Sequence, residues 1–576
     1  MRGRIESWVV AIALSALTTL FCGCSPGDYA RRADADAYGT LQNAQQTMLG
    51  DADRINVAYN PVHSRVDPTQ PIVLDGKEIP LFPEGDPTVV TMDEALKIAF
   101  RNSRRFQNRK EQLYTAALAL ANARRGWTHP LLGGDVTGAL THQGVNDGTH
   151  SESGAAAVSP TLTQRFVNGG ILTLGTSLEL LSDLTGWSNT TVGSAMEAGF
   201  TQPLLQNAWR GLAYEDQYRR ERDFLFRVFD YERFTQQFAV DIVSDYYNVL
   251  QERDRVETEK NNIARLQRTF EMIKVLVRGG QRARWEQDQA EQRVVTAKIR
   301  LEEQQQRFQD SLDRYKITLG LPIEARVTIN YPQALEQLNE AGPQDVPVEE
   351  MQAILIAMTT RPDVLTERAS LRDAERDVEI AADRFLPELD LAVGLSAASS
   401  SERKFWRYRF NDYQRNAALD LDYPLDQTNN RDNYRLALLA HDRAIREYQE
   451  FEDTVALEVR AAYRELVRSR RSHELQLQNL KIATRRRILT ELERKGGQVS
   501  ARDVLEAEED WQAARNGVVN SLVNYTVTRL RFLTSLGLIG VTDDSEMVEL
   551  DDPSRFTRIK ELYPYVVPEL PKQPEE

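Results

Sequence analysis

The sequence predicts a mixed α/β membrane protein. Long helical hairpins occur in two tandem copies, and each copy carries a β region suited to a membrane barrel built from several chains. Three observations predict it. A Gly-Gly-Gln turn leading to a Leu-Gly end occurs twice at one spacing. A proline-free stretch far longer than an ordinary helix precedes each turn. Segments of period-two alternation lie before each long stretch.

The repeat is the strongest signal. Arg278-Gly279-Gly280-Gln281 recurs as Lys495-Gly496-Gly497-Gln498. The two copies end in Leu319-Gly320-Leu321 and Leu536-Gly537-Leu538. From Gly280 to Gly320 is 40 positions, and so is Gly497 to Gly537. Glu286, Ala290, Glu291 and Ala297 match Asp503, Ala507, Glu508 and Ala514, each 217 positions later without a gap. Upstream, Gln202-Pro203-Leu204-Leu205-Gln206 matches Tyr423-Pro424-Leu425-Asp426-Gln427. The helical pattern Met92 to Trp127 matches Glu349 to Phe385, and these end at Pro130 and Pro387.

The helices follow from apolar spacing. Between Ala208 and Val277 there is no proline, and Phe224, Val228, Tyr231, Phe234, Phe238, Ile242, Tyr246 and Val249 recur at three and four. Asn429 to Lys495 repeats this with Leu438, Ile445, Tyr448, Val455, Val459, Tyr463 and Leu466. Roughly 70 residues make about 100 Å of helix, which is not stable unless packed along its length. Shorter helices supply the packing: Met92–Trp127 with Ala283–Thr318, and Glu349–Phe385 with Ser500–Ser535. The paired glycines allow the tight reversal, because glycine accepts positive φ.

The β regions alternate. Leu389, Leu391, Val393 and Leu395 stand between Asp390, Ala392, Gly394 and Ser396. Leu419, Leu421 and Tyr423 stand between Asp420 and Asp422, while Leu172, Leu174, Leu178 and Leu180 face away from Thr173, Gly175, Ser177 and Glu179. Two spanning strands from each repeat give four per chain. Four strands cannot close a membrane barrel, whose smallest form has about eight, and an open edge is forbidden in lipid. The barrel therefore needs several chains. The first β region is 36 residues longer between its bounding prolines, and which segments of 131–202 span is left open.

Composition narrows the class. Charged residues make up 27% and no later segment approaches the length of a spanning helix. A net charge of −15 argues against nucleic acid as the partner, and it fits a cation-passing lumen or a plain soluble surface. The N-terminus reads as an export signal: Arg2 and Arg4, then a largely apolar run of 14 residues from Trp8 to Phe21. Phe21-Cys22-Gly23-Cys24-Ser25 resembles a bacterial lipobox, predicting cleavage after Gly23 and acylation of Cys24. Cys22 and Cys24 are the only cysteines, so no internal disulfide or cysteine metal site is expected. No His-x-x-x-His, Gly-x-Ser-x-Gly, phosphate loop or dinucleotide fingerprint occurs, so no enzyme, cofactor or metal is expected.

The ordered set resembles the TolC family of outer-membrane efflux proteins over about residues 91 to 540. The carrying residues are Gln202-Pro203-Leu204-Leu205, Arg361-Pro362-Asp363-Val364, Phe385-Leu386-Pro387, the run from Gly497 through Asp503 to Ala507, and both Leu-Gly ends. The resemblance implies a homotrimer in which three chains of four strands form a twelve-stranded barrel, continued as a helical tunnel (an α-barrel) in the periplasm. It implies an efflux or type I secretion duct, docked to a periplasmic adaptor and an inner-membrane pump. It implies that Asp503 and Glu506 ring the periplasmic entrance and favour cations. Gly279, Gly280, Gln281, Gly496, Gly497, Gln498, Val499 and Ser500 would then contact the adaptor. The tyrosine and arginine that lock the entrance in some members are replaced by Arg494 and Val499, so that lock is not expected. Trp127, Trp187, Trp209 and Tyr423 flank the β regions, as interface aromatics or as packing.

The expected organisation is a lipoprotein signal peptide at 1–23, an extension at 24–90, a first repeat at 91–320, a linker at 321–345, a second repeat at 346–540 and a tail at 541–576. The competing reading is a periplasmic coiled-coil adaptor or scaffold without a pore. Two hairpins, each capped by alternating strands, favour the duct.

Overall fold

The computed structural model describes residues 26–48, 72–74, 77–79, 86–144, 150–183, 190–208, 210–399, 413–495, 501–542 and 547–549. In chain order come α1 (Pro26–Met48), β1 (Ile72–Leu74), β2 (Lys77–Ile79), β3 (Thr88–Val90), α2 (Met92–Asn102) and α3 (Arg104–Thr128). Four strands follow: β4 (Leu131–Gly144), β5 (His150–Arg165), β6 (Ile171–Asp183) and β7 (Thr190–Pro203). Then come α4 (Arg210–Ala213), α5 (Glu215–Arg278), α6 (Arg284–Leu319), β8 (Val327–Ile329), α7 (Tyr331–Ala341), α8 (Glu350–Thr360) and α9 (Pro362–Asp383). The chain continues through β9 (Glu388–Ala398), β10 (Gln414–Asp422), α10 (Thr428–Lys495), α11 (Ala501–Ser535), β11 (Ile539–Val541) and β12 (Met547–Glu549).

The described residues divide into two compact units. One gathers those of 1–52, 113–227 and 368–448, the other those of 53–112, 228–367 and 449–576.

The second unit holds the helical core. On α5, Phe238, Ile242, Tyr246 and Val249 are buried, as the three-and-four spacing predicts. Phe238 stacks on Phe106 at 5.5 Å, and Phe100 meets both rings edge-on. Val455 and Val459 of α10 bury against Ala353, Ala357, Tyr525 and Phe532. Both Leu-Gly ends are the same helix stop. Gly320 has φ +76 and Gly537 φ +73. Leu321 N–H reaches Lys316 O at 2.8 Å, and Leu538 N–H reaches Leu533 O at 2.9 Å.

The short helices after the tips are continuous, but the two that precede the β regions, expected over Met92–Trp127 and Glu349–Phe385, are not, which corrects the sequence expectation. Each is broken by one extended residue: Ser103 (φ −66°, ψ 125°) and Arg361 (φ −71°, ψ 123°). Pro362 excludes its predecessor from helical geometry. Ser103 lacks a following proline, but its carbonyl accepts Gln107 N–H at 2.9 Å and starts α3.

The first unit carries one antiparallel sheet in the order β10-β9-β7-β6-β5-β4. This corrects the expectation of four strands per chain, because the first region supplies four strands and the second two. The reason is length. Pro387 to Pro424 spans 37 positions and makes one hairpin, so the 36 additional residues of the first region make another.

The additional turn is built, not incidental. Phe166 N–H bonds Gly170 O at 2.8 Å, and Gly169 has φ +85. A Cβ at Gly169 would lie 2.8 Å from Pro203 Cγ and 2.9 Å from Asn207 O, so only glycine fits. Gln202 Nε2 donates to Asn168 O, and Gln164 Nε2 donates to Trp127 O, both at 2.9 Å. The β5–β6 turn thus sits at the same sheet edge as the end of α3 and the exit of β7.

Candidate functional site

The pairing register assigns every strand residue to a face. Leu172 pairs with Phe200, which pairs with Val393, which pairs with Ala417. Following that parity, one face carries Leu132 and Val136 of β4, Val158 and Leu162 of β5, and Leu174 and Leu178 of β6. Met196 and Phe200 of β7, Leu391 and Leu395 of β9, and Leu419 and Leu421 of β10 continue it. The opposite face carries Asp135, Glu179, Glu197, Glu388, Asp390, Asp420 and Asp422, with Arg165. The strands are therefore two-faced, apolar on one side and polar on the other, with acids on the polar side of every strand but β5. Leu132, Leu162, Leu174, Met196, Leu395 and Arg415, one from each strand, line a hollow of about 760 Å³. Among the described residues nothing pairs with the outer edges of β4 and β10.

Beneath the sheet, ion pairs fix the strand roots. The buried Arg222 of α5 bonds Glu215 and contacts Asp373 of α9, each at 2.6 Å. Arg376 reaches the other oxygen of Glu215 at 2.6 Å, and Arg219 bonds Asp377 at 2.5 Å. Burial pushes the Asp373 carboxyl up, and Arg222 opposes that. Such pairs orient helices more than they add stability, since desolvation offsets much of their attraction. Here they hold the helix leaving β7 against the helix entering β9. Trp127 lies edge-on to Tyr214 at 4.9 Å, a packing role, while Tyr423 is about half exposed.

At the first hairpin tip, Gly280 has φ +74, and Gln281 N–H reaches Leu276 O at 2.9 Å. Gly279, Gly280 and Gln281 are exposed. Gly496, Gly497, Gln498, Val499 and Ser500 lie outside the described residues, as do Cys24, Trp187 and Trp209.

The structure puts Asp503 and Glu506 on exposed positions of α11, but not as free charges. Glu506 lies 3.2 Å from Arg486 of α10, which also pairs with Asp510. Asp503 is engaged as well. One turn on, Trp511 is held between two guanidiniums, Arg487 at 4.1 Å and Arg265 at 5.5 Å from the ring. Glu508 pairs with Arg265 and lies 3.8 Å from Arg487. Burial pulls the Arg265 pKa down, and Glu508 opposes that. No linear spacing announces this cage, because its residues come from three helices.

Two-faced strands and long helical hairpins in one chain are the features of a class, the outer-membrane channel with a helical extension. Residues 354–538 match the family model for outer membrane efflux proteins. The match spans about a third of the chain and falls in its second repeat. It is 22% identical over 362 residues to the pyoverdine export outer membrane protein OpmQ of Pseudomonas aeruginosa, covering 60% of this chain and 72% of that one. The crystal structure of the Campylobacter jejuni CmeC outer membrane channel superposes with a TM-score of 0.56 at 16% identity, covering 83% of this chain and 93% of the other. The open state of the Neisseria gonorrhoeae MtrE outer membrane channel gives 0.57 at 13% identity, covering 80% and 98%. These two likenesses are of fold. Family and fold are those of channels, not of enzymes.

Proposed function

We propose that the chain is one subunit of a homotrimeric outer-membrane duct. It passes substrates from a periplasmic adaptor and inner-membrane pump across the outer membrane, as export or efflux. The observation that carries this reading is the six-stranded sheet, apolar on one face and acidic on the other, with two unpaired edges. Only closure with further copies satisfies those edges in lipid. The carboxylates set the direction of curl. Facing lipid they would be stranded, so in the assembled wall the apolar face is outward. The helices ask for copies too. Leu475, Ile482 and Leu489 of α10 stand one heptad apart and are 56%, 57% and 57% exposed. A neighbouring copy covers that stripe.

The lining acids make a cation-favouring lumen. Asp503 and Glu506 ring the tip end, with Glu506 partly offset by Arg486. Acylated Cys24 anchors the chain to outer-membrane lipid, and both hairpin tips meet the adaptor. The test is conductance in planar lipid bilayers. Purified protein is expected to give cation-preferring channels. Asp503→Asn and Glu506→Gln should each reduce the cation preference. A protein recovered only as a water-soluble helical monomer without conductance overturns the reading.

A further inference from the structure

We infer that all six strands of each protomer enter the membrane wall. A trimer then closes an eighteen-stranded barrel, with β10 of one copy pairing antiparallel to β4 of the next. The inference rests on the duct reading above and departs from the twelve strands that two per repeat would give.

Four observations carry it. First, the sheet is continuous. The β4–β5 ladder runs from Leu131↔Thr163 to Gly144↔His150, and the β6–β7 ladder from Ile171↔Thr201 to Ser182↔Thr190. Neither hairpin is detached from β9 and β10. Second, length suffices. The six strands have 14, 16, 13, 14, 11 and 9 residues, and a tilted spanning strand needs about 9 to 11. Third, the apolar face runs across all six strands from Leu132 and Val136 to Leu419 and Leu421, with Arg415 of β10 and, at the far end of β4 and β5, His142 and Glu152 also on it. A hairpin folded into a water-filled lumen has no use for that face on β4 and β5. Fourth, the β5–β6 turn is anchored at the helix end through Gln164, Gln202 and Gly169. All three hairpins therefore rise from the same side.

Parity then decides closure. β4 leaves the helix end and β10 returns to it, so the two free edges of neighbouring copies run antiparallel. That is the arrangement membrane barrels use, with an even strand count. Strand spacing near 4.8 Å and tilt near 40° give a wall about 24 Å across for twelve strands and about 36 Å for eighteen. The additional hairpin thus widens the exit by half, admitting bulkier cargo than a twelve-stranded exit would.

Single cysteines in the full chain, reconstituted in phosphatidylcholine vesicles, test this. Val136→Cys and Ala156→Cys place a thiol on the apolar face of β4 and β5, Asp135→Cys and Ala157→Cys on the acidic face. Leu391→Cys and Ala392→Cys report the same two faces on β9. A charged, membrane-impermeant maleimide is expected to spare positions 136, 156 and 391 and to label 135, 157 and 392. A lipid-soluble maleimide should reverse the pattern. If 391 is spared while 136 and 156 label as fast as 135 and 157, the first hairpin lies outside the lipid and the eighteen-stranded wall is wrong, although the duct stands. If 391 labels as well, the duct reading falls with it. Ala156→Cys keeps the test valid should Val136→Cys fail to fold, because its side chain is small.

Discussion

The two repeats are built to one plan but held by different means. In the first, Gly320 closes directly on the break between α2 and α3. A Cβ there would lie 2.2 Å from Asn102 O, a backbone atom. In the second, Gly537 meets the equivalent break more loosely, its nearest atom being Thr360 O at 3.4 Å. The second repeat instead uses charge. The buried Arg361 bonds Asp363 twice and Glu458 once, at 2.8 to 3.1 Å, and Arg233 joins the group through Asp363. Ser103 holds the corresponding place in the first repeat. A duplicated fold thus keeps its backbone geometry while exchanging close backbone packing for a buried ion network.

Gly320→Ala tests the tighter side and should have the largest effect. Positive φ and a backbone clash together are expected to remove about 3 kcal/mol or more, read from the denaturation midpoint. Gly537→Ala meets only the strain of positive φ and should lose about 1 kcal/mol. Equal losses would break the comparison.

Arg361→Ala probes the charged side. Removing the buried guanidinium leaves Asp363 with Arg233 alone and should lower stability by about 2 kcal/mol. Ser103→Ala at the matching position should stay within about 0.5 kcal/mol. The β regions extend the contrast. Gly169→Ala should lose about 2 kcal/mol and disturb only the additional hairpin, which the second repeat lacks.

The smallest effect concerns pH. His473 of α10 is buried, with Nδ1 at 2.9 Å from Ser521 Oγ, whose own hydroxyl donates to Val518 O. Burial pulls its pKa below the ordinary 6.5. Of the nearby acids only Glu474, the next residue on α10, pulls the other way. A depressed pKa means that the folded state holds the neutral ring. The stability tied to it is present above pH 6.5 and is lost as pH falls through the lower folded value. The slope cannot exceed about 1.4 kcal/mol per pH unit for one proton. His473→Gln should flatten the melting temperature between pH 7 and 5, and an unchanged slope would remove His473 from the account.

The sequence by itself determined the repeat, the long helices and the Gly-stopped ends. Each of these rests on local rules: apolar spacing, positive φ at glycine, and alternation of faces. Only the tertiary structure decided that the first β region holds four strands, because low-contrast stretches such as Gly133-Gly134 and Gly154-Ala155-Ala156-Ala157 carry little alternation and gain their face from the register of their neighbours. It also decided that Glu506 shares an arginine and that Trp511 sits between two more. Those partners lie far apart along the chain, and no local pattern records distances that only packing creates.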